Sequence, residues 1–153
     1  MKSEKPTVII SNRKAEFEYF LTDRFEAGIV LTGTEIKSIR LHHCGLNEAY
    51  CVLINGELYV KQMHIAHYTE GTYNNHEEKR DRKLLLNKNE LKKIINKVKD
   101  KGVTIIPTQL YLNEKQIAKL EIAIARGKKK YDKRNSLKEK EQKREVSRNL
   151  KGN

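Results

Sequence analysis

The sequence predicts a mainly β fold with α-helical additions and a basic, intrinsically flexible C-terminal tail. Strand-like apolar patterns fill most of the first part of the chain, whereas the last part lacks the apolar side chains needed for a core. Apolar residues make up 37% of the 153-residue chain, but residues 127–153 contain only four of them. The body can therefore bury a core, and the tail cannot.

The beginning of the body has the pattern of β-strands. The stretch from residue 16 to residue 40 is strand-like: apolar side chains alternate with polar ones near its start, and residues 29–31 form an apolar run. Gly28 and Gly33 interrupt this stretch. In a strand such glycines mark bulges or sharp bends, which a small barrel needs in order to close.

Two antiparallel hairpins are predicted farther along. Asn55 and Gly56 separate two apolar runs, and this residue pair favours the type I′ turn of a two-residue hairpin. The second hairpin turns at residues 113–115, and its alternation leaves Lys119 exposed on a sheet face. The four predicted strands cover residues 50–54, 57–61, 103–112 and 116–125.

One helix is predicted between the two hairpins. Asn87 is a suitable N-cap, Glu90 is its capping-box partner, and apolar residues recur with helical spacing up to position 98. Gly102 supplies the C-terminal stop. The polar residues 67–83 before the helix predict a long exposed loop.

This order of strands, hairpin, helix and hairpin is typical of an OB-like closed β-barrel with accessory helices. The chain then divides into three parts. Residues 1–10 are predicted to be a flexible N-terminal extension, residues 11–127 the barrel, and residues 128–153 the basic tail. Barrels of this type often present a face to nucleic acid, although fold class alone does not give function.

The charge of the chain favours a polyanionic partner such as RNA, DNA or an acidic membrane surface. The formal net charge is +12, and residues 127–153 carry eleven basic and four acidic side chains. Ser136 and Glu139 form a capping-box signature, yet the tail has no apolar stripe wide enough to pack on the body. We expect the tail to be disordered alone and helical once phosphates neutralise it.

Several classes of protein are disfavoured. The chain starts without a signal-peptide core or membrane span, so a cytoplasmic protein is expected. Neither the two cysteines nor the five histidines have the spacing of a metal site, and we predict no metal and no cofactor. The nucleophile-elbow and P-loop motifs are absent from the sequence, so an enzyme is not expected. Tyrosines among basic residues instead suggest stacking on RNA; they are Tyr68, Tyr73 and Tyr131.

Five separate blocks, in order and with matching spacing, resemble the small protein B (SmpB) family of SsrA-binding proteins. They are NRKA at 12–15, FEAGI at 25–29, GTEIKS at 33–38, RKLLL at 82–86 and GKKKYDKR at 127–134. The resemblance implies a protein that binds the tRNA-like domain of transfer-messenger RNA (tmRNA). It would carry tmRNA into the A site of stalled ribosomes for trans-translation, which rescues them and tags the nascent peptide.

The resemblance also implies partners and roles for residues. The partners are tmRNA, the rRNA of the small ribosomal subunit at the decoding centre and mRNA channel, and, indirectly through tmRNA, alanyl-tRNA synthetase and EF-Tu. A monomer without membrane contact is expected. The residues expected to bind tmRNA are Glu26, Leu85 and Lys119, with Asn12, Lys37, Arg82 and Lys83 as further RNA-binding positions. In the tail, the decoding-centre segment would comprise Tyr131, Asp132, Lys133 and Arg134, preceded by Lys128 and Lys129.

Two other functions remain compatible with the basic composition. A structural protein of the ribosome that binds rRNA would carry a similar cationic tail. A metal-dependent ribonuclease could draw on the carboxylates between residues 16 and 35, although no spacing singles out a pair. Cleavage of RNA, or stoichiometric association with ribosomes that survives washing in high salt, would distinguish these two from a tmRNA-binding protein.

Overall fold

The structure is a computed structural model that describes residues 7–69 and 75–128. These residues form a mainly β domain with three helices. The strands are β1 (Thr7–Ser11), β2 (Tyr19–Ile29), β3 (Cys44–Gly45), β4 (Tyr50–Ile54), β5 (Glu57–Lys61), β6 (His64–Ile65), β7 (Arg82–Leu85), β8 (Val103–Leu112) and β9 (Ala118–Gly127). The helices are α1 (Arg13–Glu18), α2 (Gly33–Arg40) and α3 (Lys88–Lys97).

Seven of these strands form one antiparallel sheet in the order β1-β8-β4-β5-β7-β2-β9, and β9 also pairs with β8. Strand β8 has three partners because β1 and β4 share one of its edges. Strand β1 pairs with the end of β8 from Gln109 onward, whereas β4 pairs at Ile105. Strands β3 and β6 form a separate pair. The long strands β2, β8 and β9 therefore lie side by side.

Apolar side chains are buried on both faces of β8 and β9. On one face Leu110, Leu120 and Ile122 are 0% exposed and belong to the main core. On the other, Ile106 and Ala125 pack with Ala15 of α1 in a second, smaller cluster. Helix α1 therefore covers the end of this second face that contains Ile106 and Ala125.

Two helices lie where the sequence predicts strands. Asn12 caps α1 by accepting a hydrogen bond from the Ala15 amide at 3.2 Å. Thr32 and Glu35 form a reciprocal capping box at the start of α2. These local hydrogen bonds stabilise the helix ends and outweigh the strand-like alternation. Gly33 is therefore the first residue of α2 and not a bend within a strand.

The bulge of β2 also differs from the prediction. The register of β2 against β9 shifts between Thr22 and Arg24, where Asp23 has a φ of 32°. Gly28 stays in regular register, so the prediction of a bulge or bend there is wrong. Asp23 supplies the irregularity because aspartate tolerates the left-handed region better than most residues.

Both hairpins are confirmed. In the first, Ile54 lies opposite Glu57, and Asn55 and Gly56 have φ values of 52° and 77°, as a type I′ turn requires. The second consists of β8 and β9, paired along almost their whole length. Alternation along the strands is therefore a reliable guide to this part of the chain.

Helix α3 is confirmed at its beginning, where the Asn87 side chain accepts a hydrogen bond from the Glu90 amide at 2.9 Å. The predicted stop is wrong. The helix ends at Lys97 with Val98 as its C-cap, and Gly102, with a φ of 78°, lies in the turn that leads into β8. The left-handed conformation of this glycine reverses the chain after a short non-helical segment.

The N-terminal residues are more ordered than the sequence predicts. The prediction of a flexible extension over residues 1–10 is wrong for residues 7–10, because these residues belong to β1, which pairs with β8. Residues 1–6 lie outside the described residues, as do residues 129–153, where the tail helix is predicted. None of the described helices is long and apolar enough to cross a membrane.

Candidate RNA-binding face

A row of residues in direct register crosses five strands of the sheet. Gly28 of β2 lies opposite Leu85 of β7 on one side and Lys119 of β9 on the other. Lys119 lies opposite Tyr111 of β8, which in turn lies opposite Val8 of β1. We call these five residues the outer row. Residues directly opposite each other in antiparallel strands have neighbouring side chains on the same face.

The outer row faces away from the main core. Leu84, Leu110 and Leu120 are buried, and each precedes or follows a member of the row along its strand. Alternation therefore directs the outer row to the opposite side. Leu85 is 52% exposed, which is unusual for a leucine within a strand.

Gly28 leaves a gap in the middle of this row. A Cβ atom at this position would lie 3.4 Å from the Cβ atom of Leu85. The side chain of Leu85 therefore lies at ordinary contact distance from the place where a side chain of residue 28 would begin. Leu85 and Lys119 thus stand on either side of a residue that has no side chain, one apolar and one cationic.

Glu26 lies two residues before Gly28 on β2, is exposed and therefore shares the face of the outer row. It also lines a groove of about 500 Å³ together with Val8, Arg24, Phe25 and Tyr111. Glu26, Leu85 and Lys119, which the family resemblance groups together, lie on one face of three neighbouring strands. This placement brings together an acceptor, an apolar group and a cation.

The carboxylates at this groove have different partners. Glu121, opposite Glu26 in register, accepts a hydrogen bond from the Thr108 hydroxyl at 2.8 Å, and Arg24 lies 3.7 Å from the same oxygen. The Glu26 carboxylate interacts with the hydroxyl of Tyr111. Burial, followed by this interaction, raises the pKa of Tyr111. The hydroxyl group of Tyr111 therefore stays protonated and can donate a hydrogen bond.

The two lysines among the further RNA-binding positions are both accessible. Lys83 shares the outer side of β7 with Leu85, and its ammonium group lies 3.0 Å from Glu57. Lys37 is exposed on α2, with its ammonium group 5.4 Å from the ring centroid of Tyr68. Lys83 therefore extends the candidate face, whereas Lys37 is positioned by a helix outside the sheet.

Arg82 does not lie on this face, although it directly precedes Lys83. Its side chain is 0% exposed, and its Nε donates to Glu35, which is also fully buried. Its terminal nitrogens donate to the backbone carbonyls of Met63, Arg80, Glu77 and Glu78. The expected contact of Arg82 with RNA is therefore wrong for this conformation, because every part of the guanidinium is committed inside the protein.

Glu35 anchors this buried cluster. Burial alone would raise the pKa of its carboxyl group, but hydrogen bonds from Arg80, the Thr32 amide and Arg82 lower the pKa below its ordinary value. The carboxylate therefore stays charged between two arginines. The Thr32-to-Glu35 capping signature could have revealed the helix from the sequence, but not the arginine partners, since Arg82 lies 47 positions away.

Asn12 is likewise buried, at 3% exposure. Its side-chain amide donates to the carbonyls of Leu46 and Pro107, while its oxygen caps α1. It ties the start of the helix to the sheet and is not accessible to RNA, contrary to expectation.

The tail positions lie at or beyond the end of the described residues. The Lys128 amide donates to the Glu18 carbonyl at 2.9 Å, and its ammonium group contacts the Glu16 carbonyl at 3.3 Å. This places a cation at the C-terminal end of α1, where the helix dipole is negative. Lys129 and the segment 131–134 lie outside the described residues.

The histidines and cysteines form no group suited to holding a metal ion within residues 7–69 and 75–128. His76 is buried between the Thr34 hydroxyl and the Ile65 carbonyl, which explains why it does not belong to an exposed loop. Burial raises the pKa of Cys44 to about 11 and also raises the pKa of Cys51. Both cysteines are free thiols, and at neutral pH burial favours their protonated form.

Tyr111 and Gly28 are two of the members of the outer row that were not predicted from the sequence. Tyr111 stands between the core residues Leu110 and Leu112, and this alternation is a signal that it faces outward. Gly28 was predicted to be an irregularity in the backbone, yet it lies in regular register between Leu85 and Lys119. Cross-strand register, which a single sequence does not give, is needed to see both roles.

Comparison with known proteins identifies relatives of this chain. A family model described as SmpB protein matches residues 9–152. The chain belongs to the SmpB family. Two relatives named SsrA-binding protein, from Bacteroides thetaiotaomicron and Phocaeicola vulgatus, are 55% and 57% identical to it over 148 residues. These alignments cover 97% and 96% of this chain and 99% of each relative.

A solved structure also resembles the fold. The family member in a structure described as "tmRNA-SmpB: a journey to the center of the bacterial ribosome" is 38% identical and has a TM-score of 0.68. The match covers 84% of this chain and 93% of the solved chain. Both sequence and backbone therefore agree with a family member studied in the context of tmRNA and the ribosome.

Proposed function

We propose that this chain binds tmRNA and acts in trans-translation by delivering tmRNA to the A site of stalled ribosomes. Membership of the SmpB family and the names of the relatives support this function. The observation that carries the proposal is the presence of Glu26, Leu85 and Lys119 on one exposed face of β2, β7 and β9.

Each of these side chains suits a different part of a folded RNA. Lys119 binds phosphate through its charge, and Leu85 packs against a ribose or base. The Glu26 carboxylate repels phosphate but accepts hydrogen bonds from 2′-hydroxyl groups or base N–H groups. A face of this kind recognises the shape of an RNA surface and is not limited to the attraction of polyanions.

An OB-like barrel is the architecture that best supports this face. Strands β8, β4, β5, β7, β2 and β9 pair in succession, and β9 pairs again with β8. A ring of pairings of this type encloses the main core and turns the opposite side of each strand outward. The barrel would span residues 11–127, with the strand at Thr7–Ser11 added at its edge.

The tail, residues 128–153, is the part that we assign to the ribosome. Its cationic residues would contact small-subunit rRNA, with Lys128, Lys129 and residues 131–134 at the decoding centre and the rest in the vacant mRNA channel. Phosphate contacts would offset the entropy cost of ordering the segment, which is on the order of 1 kcal/mol per residue. The role is one of binding and not of catalysis, exerted by a monomer in the cytoplasm where ribosomes work. Alanyl-tRNA synthetase and EF-Tu would be reached only through tmRNA.

Two measurements test this function. Sequencing the RNA retained on the purified full-length chain should recover tmRNA as the main species. Recovery of 16S or 23S rRNA alone would favour a structural protein of the ribosome, and RNA cleavage that EDTA stops would favour a ribonuclease.

Truncation after Gly127 tests the division of labour. Because the face lies within the barrel, the truncated chain should bind tmRNA in gel-shift titrations within about threefold of the full chain. It should lose peptide tagging on stalled ribosomes. A loss of tmRNA affinity by orders of magnitude would contradict the proposed separation.

A further inference from the structure

Tyr111 occupies an unusual position on the candidate face. It lies on the outer side of β8, between Val8 and Lys119 in register, yet it is only 8% exposed. Its ring forms part of the wall of the groove that Glu26 also lines. A buried tyrosine needs a hydrogen-bond partner for its hydroxyl group, and the Glu26 carboxylate, which lines the same groove and helps to raise the pKa of Tyr111, can accept this bond.

The direction of this hydrogen bond is fixed by chemistry. An ionised carboxylate only accepts hydrogen bonds, so the hydroxyl of Tyr111 is the donor. Burial and the neighbouring carboxylate both raise the pKa of Tyr111, and the donor therefore remains protonated at neutral pH. Because the ring is held between neighbouring strands, the donor has a fixed position.

The carboxylate, in contrast, is on a flexible and exposed side chain. An unrestrained glutamate loses rotamer freedom when it binds a ligand, and this loss weakens binding. The other carboxylate of the groove is restrained differently, since Glu121 is bound by Thr108 and lies near Arg24.

We propose that Tyr111 is a positioning residue, which holds the Glu26 carboxylate so that it accepts a hydrogen bond from a 2′-hydroxyl or base N–H group of the RNA. This inference rests on the proposed function and adds a residue to its site. It also specifies that the Glu26 contact is made to a hydrogen-bond donor and not to phosphate.

A double-mutant cycle in the full chain tests the coupling, with tmRNA affinity measured at fixed salt. Tyr111→Phe removes only the hydroxyl, and Glu26→Gln removes the charge. Each should weaken binding about tenfold, as expected for a hydrogen bond to a charged group. The double variant should bind no more weakly than Glu26→Gln, because Tyr111 acts through Glu26. Losses that multiply, or wild-type affinity of Tyr111→Phe, would overturn the proposal.

The salt dependence of binding separates positioning from a phosphate contact. Tyr111→Phe should leave the slope of log affinity against log salt unchanged, whereas Lys119→Ala should reduce its magnitude by about 1. A reduced slope for Tyr111→Phe would contradict the assignment. Tyr50→Phe, which removes an exposed tyrosine hydroxyl from β4, is the matched control and should bind like the wild type.

A variant with an unchanged charge tests whether the position of the Glu26 carboxylate matters. Glu26→Asp keeps the carboxylate but withdraws it from Tyr111, and should also weaken binding about tenfold. Wild-type affinity of Glu26→Asp would mean that the position of the carboxylate is unimportant. If Lys119→Ala, Leu85→Ala and Glu26→Gln all bind normally, the proposed site itself is wrong. If they lose affinity and Tyr111→Phe does not, only the positioning role fails.

Discussion

The outer face of the sheet and the buried cluster around Glu35 use the same kinds of side chain for different purposes. On the outer face, Glu26 and Lys119 are accessible and stand beside the exposed Leu85. In the buried cluster, Glu35 and Arg82 are 0% exposed and bind each other. Charge alone therefore does not identify an RNA-binding residue. The side of the strand or helix on which a charged residue lies decides whether a ligand can reach it.

The contrast is sharpest within β7, where Arg82 and Lys83 are neighbours. The guanidinium of Arg82 fastens the segment before β7 to α2 through Glu35 and several backbone carbonyls. Lys83 extends from the opposite side, is 39% exposed and pairs with Glu57 at the surface. Arg82 therefore maintains the fold, and Lys83 is available to a ligand.

The largest expected effect is the loss of stability in Arg82→Ala. The substitution removes one of the two arginine partners of the buried Glu35 and the donor to four backbone carbonyls, which costs about 3–5 kcal/mol of the free energy of unfolding. Lys83→Ala removes only a surface pair and should cost less than about 1 kcal/mol. Urea unfolding of both variants measures the difference. Equal destabilisation by the two would break the comparison.

Lys119→Ala should have the opposite profile. Loss of a charge-assisted contact to phosphate should reduce tmRNA affinity by about 1.5–3 kcal/mol, while surface substitutions of this kind change stability by only about 0.5 kcal/mol. Lys92→Ala on the exposed side of α3 is the control and should bind normally. Gel-shift titration measures the affinity of each variant for tmRNA, and urea unfolding measures its stability. Equal affinities of the two variants would remove Lys119 from the site.

Asn12→Ala should resemble Arg82→Ala on a smaller scale. It removes the cap of α1 and two hydrogen bonds to buried carbonyls, and should cost about 1–2 kcal/mol of stability. Ser11→Ala, at an exposed neighbouring position, should cost less than about 0.5 kcal/mol. Unfolding of the two variants provides the test. If Asn12→Ala weakens RNA binding without changing the free energy of unfolding, Asn12 has a direct role in RNA binding and the structural role is contradicted.

The smallest effect concerns pH. The pKa of Glu35 is lower in the folded protein than its ordinary value, so the stabilisation is complete above that value and is lost as pH falls through the folded pKa. The difference in unfolding free energy between wild type and Glu35→Gln should therefore shrink below about pH 4.5. A constant difference from pH 7 to pH 3 would show that protonation of Glu35 does not matter.

Local signals in the sequence predict much of the fold. Asn55-Gly56 identifies its hairpin because few residue pairs adopt positive φ twice, and Asn87 identifies the start of α3. The short helix α1 is missed because its apolar residues, Ala15 and Phe17, also fit a period of two, and α2 is missed because its two isoleucines are too few to establish a helical period. Their caps at Asn12 and Thr32 are the better signal.

The candidate site is less accessible to prediction from the sequence. The three residues that the family resemblance groups together, Glu26, Leu85 and Lys119, lie on one face, but the resemblance also includes Arg82 and Asn12, which are buried. The partners that bury them come from distant parts of the chain, and pairing over such distances is set by tertiary packing. For the same reason, the contact between Glu26 and Tyr111 is visible only in the folded protein.

Strand β9 joins the two regions that we assign to different nucleic acids. Lys119 lies near its beginning, and Lys128 directly follows its end and is fastened to α1. Nine residues of extended backbone hold these positions at most about 30 Å apart. Because β9 is paired on both edges, it resists bending and acts as a rigid spacer. An RNA bound at Lys119 would thus be held at a set distance from Lys128, the residue at which the tail begins.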